Sequence, residues 1–454
     1  MLIVKLSKQK IQILKTKILV LAGLMLSLST FSQKKWTLKE CVDYALENNI
    51  TVKQNKLNID LAKKDVEIAE GNFLPNLNAS SSGTFSSGLS QDRTGILRNT
   101  QNFNSSFGLS GVGSIFNGFR NRNTKNLAEL NVKGSELDLN IIENDISLNI
   151  VNTYLNVLFA KENLAVARTQ AEISTKQIER AKAQFEAGAI PKGDLLNVES
   201  TAANDNQNVI IQENTLNIAL LRLAQFLQIS NEGFDVDTIA IGSPSAALLY
   251  DSADEVYTKA LTYRPEIGRA MLNVENADLN IELEKGNYLP SLSYSLGAGT
   301  SYFHQFNNII VPNDNFFSQI NDRIRYNAGL SLNIPIFNRF QTKNRVAKSR
   351  INKMNTELAL ENQKLQLQQE IEQAFLDAKA AAKTYEAANI SLAAQKEAFK
   401  NAQVSYNYGT MTQFDFDQVR NRLVNAESTM IRSKYDYIFR TKVLKFYYGE
   451  SIVD

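Results

Sequence analysis

The sequence predicts a mainly helical protein that also carries four strands of a membrane β-barrel, built as two copies of one pattern. Three observations predict it. A short stretch occurs twice, as Gly71-Asn72-Phe73-Leu74-Pro75-Asn76-Leu77 and Gly286-Asn287-Tyr288-Leu289-Pro290-Ser291-Leu292. After each copy the apolar period changes from helical to two. Each alternating region then gives way to a very long helix-periodic segment. Glycine suits a helix C-terminus, where it adopts the left-handed conformation without a Cβ penalty. Proline shortly after cannot continue the helix. Each copy therefore reads as a switch from helix to strand.

Spacing shows that the duplication is general. The two stretches are offset by 215 residues, as are Ala45-Leu46 and Ala260-Leu261. Ile115-Phe116-Asn117 matches Ile336-Phe337-Asn338 at an offset of 221, as Gly188 and Asp194 match Gly409 and Asp415. Self-similarity of this kind is weighed before any fold. The first repeat is expected over 33–240 and the second over 241–454. The additional residues of the second repeat fall in the loop 303–323.

Residues 1–32 read as a signal peptide: Lys5, Lys8, Lys10, Lys15 and Lys17 precede an apolar run from Ile18 to Phe31. That run is shorter than the roughly 20 residues a bilayer-spanning helix needs. Removing those five lysines from a formal net charge of +2 leaves −3, so no strong positive field points to nucleic acid. Cys41 is the only cysteine and reads as a small apolar helix residue, so no intrachain disulfide is available.

The first helix is expected from Thr37 to about Glu70, opened by a Thr37/Glu40 capping box. Strands follow at about 77–87 and 103–115. Leu77, Ala79, Ser81, Gly83 and Phe85 lie on one face of the first, and Phe103, Phe107, Leu109 and Ile115 on one face of the second, with a polar stretch at 88–101 between them. The second repeat alternates more clearly, in strands at about 291–302 and 324–335. Leu292, Tyr294, Leu296, Ala298, Thr300 and Tyr302 lie on one face of the first, and Ile324, Tyr326, Ala328, Leu330, Leu332 and Ile334 on one face of the second. The other face is small and polar. An apolar outside and a polar inside over roughly ten residues is the pattern of a transmembrane barrel strand. Phe73, Phe116, Phe119, Tyr288, Phe337 and Phe340 flank the strands at one end, which fits an interfacial aromatic girdle, ordinary core packing, or both.

From Gly118 to Gly188 there is no proline. A helix of that length spans on the order of 100 Å at about 1.5 Å per residue. Leu137, Ile141, Leu148, Val151, Leu155 and Leu158 follow a coiled-coil seam. The second repeat matches it at about 339–408. Turns at 188–194 and 409–415 lead into return helices at about 191–228 and 412–450. Residues 229–252 link the repeats, with room for short strands between Phe234 and Ile241.

Sites of chemistry are not legible. His304 is the only histidine, so neither a nucleophile–histidine pair nor a Cys/His metal cluster can be assembled, and no phosphate-cradling glycine loop is present. The chain reads as a non-enzyme without cofactor or metal.

These features together resemble the TolC family of outer-membrane efflux proteins. The residues that carry the resemblance begin with Thr37-Leu38 to Asn49, the paired Gly-x-x-Leu-Pro stretches, and Ile115 to Arg120 with Pro335 to Phe340. Tyr263-Arg264-Pro265-Glu266-Ile267 and the two glycine tips complete them. Ser114 stands where the family has a proline, which Pro335 keeps. The resemblance implies a homotrimer in the outer membrane, each subunit giving four strands to a twelve-stranded barrel and long antiparallel helical hairpins to a periplasmic tunnel. It implies a passive exit duct for efflux or type I secretion, partnered by a periplasmic adaptor and an inner-membrane pump. Adaptor docking would map to Gly188, Ala189 and Ile190 and to Gly409, Thr410 and Met411. The closed-state latch maps to Tyr406 with Asp194. Met411 replaces its arginine and Gly193 its threonine. The family's two narrowing aspartates map to Asp415 and Gln418, of which only the first is acidic. The rival reading, a secreted coiled-coil scaffold without a channel, accounts for the helices but not for the two-faced strands.

Overall fold

The computed structural model describes residues 35–91, 95–238, 250–306 and 314–452. The expected signal peptide, Asp92 and Arg93, and most of the linker beyond Thr238 lie outside the described residues. In chain order the elements are β1 (Lys35–Trp36), α1 (Leu38–Asn48), α2 (Ile50–Gly71), β2 (Asn76–Gln91), β3 (Leu97–Asn117), α3 (Arg120–Glu186) and α4 (Lys192–Leu227). Then come β4 (Asp235–Val236), α5 (Ala253–Tyr263), α6 (Pro265–Lys285), β5 (Ser291–Gln305), α7 (Phe316–Asp322), β6 (Arg325–Asn333), α8 (Gln341–Asn407) and α9 (Gln413–Tyr448). The outgoing helices α3 and α8 have 67 residues each, and the return helices α4 and α9 have 36 each. The chain divides into two compact units.

One unit comprises Gln54–Asn140 and Arg264–Leu365. Its strands form one antiparallel sheet in the order β2-β3-β5-β6. The register sorts the side chains as the alternation requires. Ala79 faces Leu109, Leu109 faces Ala298, and Tyr294 faces Leu330. On the other face Ser82 lies opposite Ser106, their hydroxyls 2.7 Å apart, and Ser293 lies opposite Ser331. The apolar face is bare: Leu296 is 54% exposed, Leu330 73% and Tyr326 81%.

Four expectations for this region are corrected. Gly88 to Gln91 pair with Thr100 to Leu97, so most of the stretch read as a polar loop is strand. Backbone pairing needs no apolar alternation, which is why the pattern missed it. Ile115 is not a ladder partner: the register shifts between Ser114 and Phe116, and Phe116 stands opposite Leu292. A bulge leaves one residue unpaired. β6 ends at Asn333, before Pro335, which lacks the N–H a ladder needs. β3, with Ser114 at the matching position, runs on to Asn117. Finally, the loop 303–323 holds α7. Beyond Gly299, β5 has no partner in β6, and α7 supplies one from a side chain. Gln319, 2% exposed, accepts from the Phe303 N–H and donates to the Phe303 carbonyl, both at 3.0 Å.

The second unit contains the described residues up to Lys53, Ile141–Tyr263, and those from Gln366 onward. Its core gathers Cys41 and Ala45 of α1, Ile150, Val151, Tyr154, Leu155, Val157 and Leu158 of α3, Leu223 and Leu227 of α4, and Ile431, Ile438 and Phe446 of α9. The α3 face is wider than a heptad seam. Ile150, Tyr154 and Val157 are buried alongside Val151, Leu155 and Leu158, because α3 packs against several neighbours. The Tyr154 hydroxyl lies within reach of the Trp36 and Asp237 carbonyls, at 3.0 and 2.7 Å, tying α3 to the parallel β1–β4 pair. Burial pushes the Cys41 thiol up to about 12, so it is an inert core residue.

The Thr37/Glu40 capping box is formed. The expected single helix to Glu70 is instead broken at Asn49, whose Oδ1 accepts from the Thr51 N–H at 2.8 Å. The second repeat breaks at the matching position: Arg264 is extended before Pro265, as a residue preceding proline prefers.

Candidate functional site

The two glycine turns of the second unit share one geometry. Gly188 and Gly409 have φ of +75° and +74°. The N–H groups of Ala189 and Thr410 reach back to the Gln184 and Ser405 carbonyls at 2.8 and 3.0 Å. This is a Schellman ending, with the left-handed residue that favours glycine. A Cβ on either glycine would meet no neighbour within 4 Å, so space is not the constraint there. Gly188, Ala189, Gly409 and Thr410 are exposed, while Ile190 and Met411 are half-buried. Two exposed apolar residues flank the second turn, Tyr408 at 83% and Phe414 at 70%. Sequence reading did not single them out, since isolated aromatics carry no periodic signal.

The return helices start differently. Pro191 caps α4 without a side-chain hydrogen bond, and the Asp194 N–H turns back to the Pro191 carbonyl at 3.1 Å. Thr412 caps α9: its Oγ1 accepts from the Asp415 N–H at 3.1 Å and donates to the Asp415 carboxylate at 2.7 Å. Asp415 and Gln418 are both exposed on α9. Gln418 accepts a long hydrogen bond of 3.4 Å from Arg422.

The Tyr406 hydroxyl donates to Gln413 and makes no hydrogen bond to Asp194. Its ring stacks on Phe416 at 4.7 Å, and Arg180 lies 5.1 Å from its centroid. Burial raises the Tyr406 pKa; Arg180 opposes that shift, and Asp417 and Asp194 add to it. Asp194 thus acts on Tyr406 through space only. Arg180 also donates to the Asn407 carbonyl at 2.9 Å and to the Asn407 side chain, joining α3 to the end of α8.

Behind the turn lies a polar cluster that the sequence did not reveal. Arg420 of α9 is 3% exposed. Its guanidinium donates to Ser174 Oγ of α3 at 2.7 Å and pairs with Asp205 of α4 at 3.2 Å. Ser174 in turn donates to Asp205. Asp417 sits 3.8 Å from Arg420 Nε and accepts from Gln413 at 2.9 Å. The chain Tyr406–Gln413–Asp417–Arg420–Asp205 therefore fastens α8, α9 and α4 together. An i, i+3 acid–base pair such as Asp417/Arg420 is too common in helices to mark it.

Asp415 offers a test of whether its charge matters beyond the helix end. Thr412 is the cap, and an asparagine at 415 can still accept from its hydroxyl, so Asp415→Asn is expected to cost at most about 1 kcal/mol. Were Asp415 to line a constriction, as the resemblance implies, the variant would weaken block by divalent cations in planar-bilayer recordings. Unchanged block and selectivity would leave Asp415 as a helix-end residue only.

The model of the family described as outer membrane efflux protein matches residues 41–227 and 256–450. The chain is similar to outer membrane protein TolC of Escherichia coli K12, at 22% identity over 438 residues, covering 94% of this chain and 85% of that one. It is also 24% identical over 255 residues to nodulation protein T of Rhizobium leguminosarum bv. trifolii, covering 56% of this chain and only 53% of that one. The crystal structure of the CmeC outer membrane channel of Campylobacter jejuni has the same fold. Its TM-score is 0.75 at 21% identity, over 91% of this chain and 85% of that one. The family model takes in both outgoing helices, both return helices and all four sheet strands, and the chain belongs to the outer membrane efflux protein family.

Proposed function

We propose that the chain is the passive exit duct of a tripartite efflux or type I secretion system in the outer membrane. Three copies would pool their strands into one barrel and their helices into a periplasmic tunnel. A periplasmic adaptor would dock at the glycine tips, and an inner-membrane pump would supply the energy. The observation that carries this reading is the open four-stranded sheet, polar on one face and bare and apolar on the other. In lipid every backbone polar group must be paired, so open edges require further strands. A soluble scaffold would leave Leu296, Tyr326 and Leu330 exposed to water without purpose. The boundaries 33–240 and 241–454 would mark two repeats that alternate around the duct. Asp194, Tyr406, Asp415 and Gln418 would line or fasten its narrow end.

The glycine tips supply the experiment. Gly188→Asp or Gly409→Asp places a side chain in open space, at a φ cost of about 1–2 kcal/mol. Chain abundance in the outer membrane should be unchanged, while resistance to exported toxic compounds falls to that of cells lacking the chain. Normal resistance in both variants would remove tip docking from the account.

A further inference from the structure

We propose that the sheet closes between copies of this chain in one fixed register, with Leu330 of one copy opposite Gly83 of the next. The proposal rests on the duct reading above and adds the residues of the seam.

The sheet ends in β2 on one side and β6 on the other, each with one unpaired edge. The internal repeat says how those edges meet. Offsets of 215 and 221 residues carry β2 onto β5 and β3 onto β6. Applied to the β2–β3 pairs Ala79–Leu109, Ser82–Ser106 and Thr84–Asn104, they give Tyr294–Leu330, Gly297–Asn327 and Gly299–Arg325. All three are pairs of the β5–β6 ladder. The two hairpins therefore share one register.

The remaining seam inside the chain, β3–β5, joins the first repeat to the second. In a closed ring, β6 against β2 of the next copy joins the second repeat to the first. The same offsets turn Leu109–Ala298 into Leu330–Gly83, Gly111–Leu296 into Leu332–Ser81, and Phe107–Thr300 into Ala328–Phe85. Two features support this register. It sets apolar-face residues of β6 against residues of the corresponding face of β2, whereas a one-residue slip would reverse them. It also sets large against small across the seam: Leu330 on Gly83, Leu332 on Ser81, Phe85 on Ala328. A two-residue slip would keep the faces but give the seam between copies a register different from that of the matching β3–β5 seam.

The register extends to Asn333 and no further. Gly118 lies so close to Gly286 that a Cβ would collide with the Gly286 carbonyl oxygen. The matching residues across the new seam are Arg339 and Gly71. Arg339 carries a Cβ, so that close approach is not repeated there.

Cysteine pairs in the full-length chain, on a Cys41→Ser background, test the register in outer-membrane preparations under mild oxidation. Antiparallel partners place their Cα atoms within disulfide range. Leu330→Cys with Gly83→Cys should give covalently linked dimers and trimers. Leu330→Cys with Ser81→Cys or with Phe85→Cys should give markedly less. Leu109→Cys with Ala298→Cys, within one chain, confirms that sheet cysteines oxidise under these conditions. The pair Ser331→Cys with Ser82→Cys reads the same register from the polar face if the first pair disturbs assembly. Preferential linkage at Ser81 or Phe85 would overturn the register and leave the duct reading intact. Absence of intermolecular linkage from every pair, with the internal control formed, would overturn closure between copies altogether.

Discussion

Leu330→Arg is expected to keep the chain out of the outer membrane, while Ser331→Arg, one residue on, should assemble. Leu330 stands opposite Tyr294 on the apolar face and is 73% exposed. A cation held at the lipid midplane costs about 2–4 kcal/mol per substituted strand. In a trimer the substitution occurs three times, so the effect multiplies. Ser331 faces Ser293 on the polar side, where an arginine reaches water. Heat-modifiable oligomer bands in outer-membrane fractions provide the measurement. Equal loss of both variants would reverse or remove the assignment of faces.

Arg420→Met should loosen the packing of the long helices next to the glycine turns. The guanidinium is buried among Ser174, Asp205 and Asp417, which it holds at 2.7, 3.2 and 3.8 Å. Deleting one partner of a buried ionic cluster costs about 3–5 kcal/mol. Asp205 and Asp417 keep side-chain exposures of 22% and 23%, and solvent screening there reduces the loss to about 2–3 kcal/mol. Arg420→Lys should recover only part of it, since an ammonium cannot match the forked geometry. Limited proteolysis should then cut near 188–194 or 409–415 in the variant and not in the parent. Equal resistance of the two would show that apolar packing alone holds these helices.

Much of the fold was legible because duplication repeats each signal. The helix-to-strand switches, the two-faced strands, the glycine turns and the lengths of the long helices follow from local chemistry stated twice. What was missed lacks periodicity. The break at Asn49 depends on one side chain accepting from Thr51, and the bulge at Ser114 to Phe116 on backbone register. The covering of the β5 edge by Gln319 depends on a helix inside a loop. Of the candidate site, the glycine turns were readable from residue type. The Arg420 cluster was not, because Ser174, Asp205 and Arg420 meet only through packing of three helices. Tyr406 was singled out, but its hydroxyl goes to Gln413 rather than to Asp194.

Planar-bilayer conductance of the purified full-length protein tests the central claim most directly. A duct predicts discrete conductance steps from inserted oligomers, with Arg420→Met giving longer or larger openings than the parent as the packing next to the glycine turns loosens. Stable insertion of oligomers that pass no current, in the parent and in Arg420→Met alike, would contradict a through-going channel.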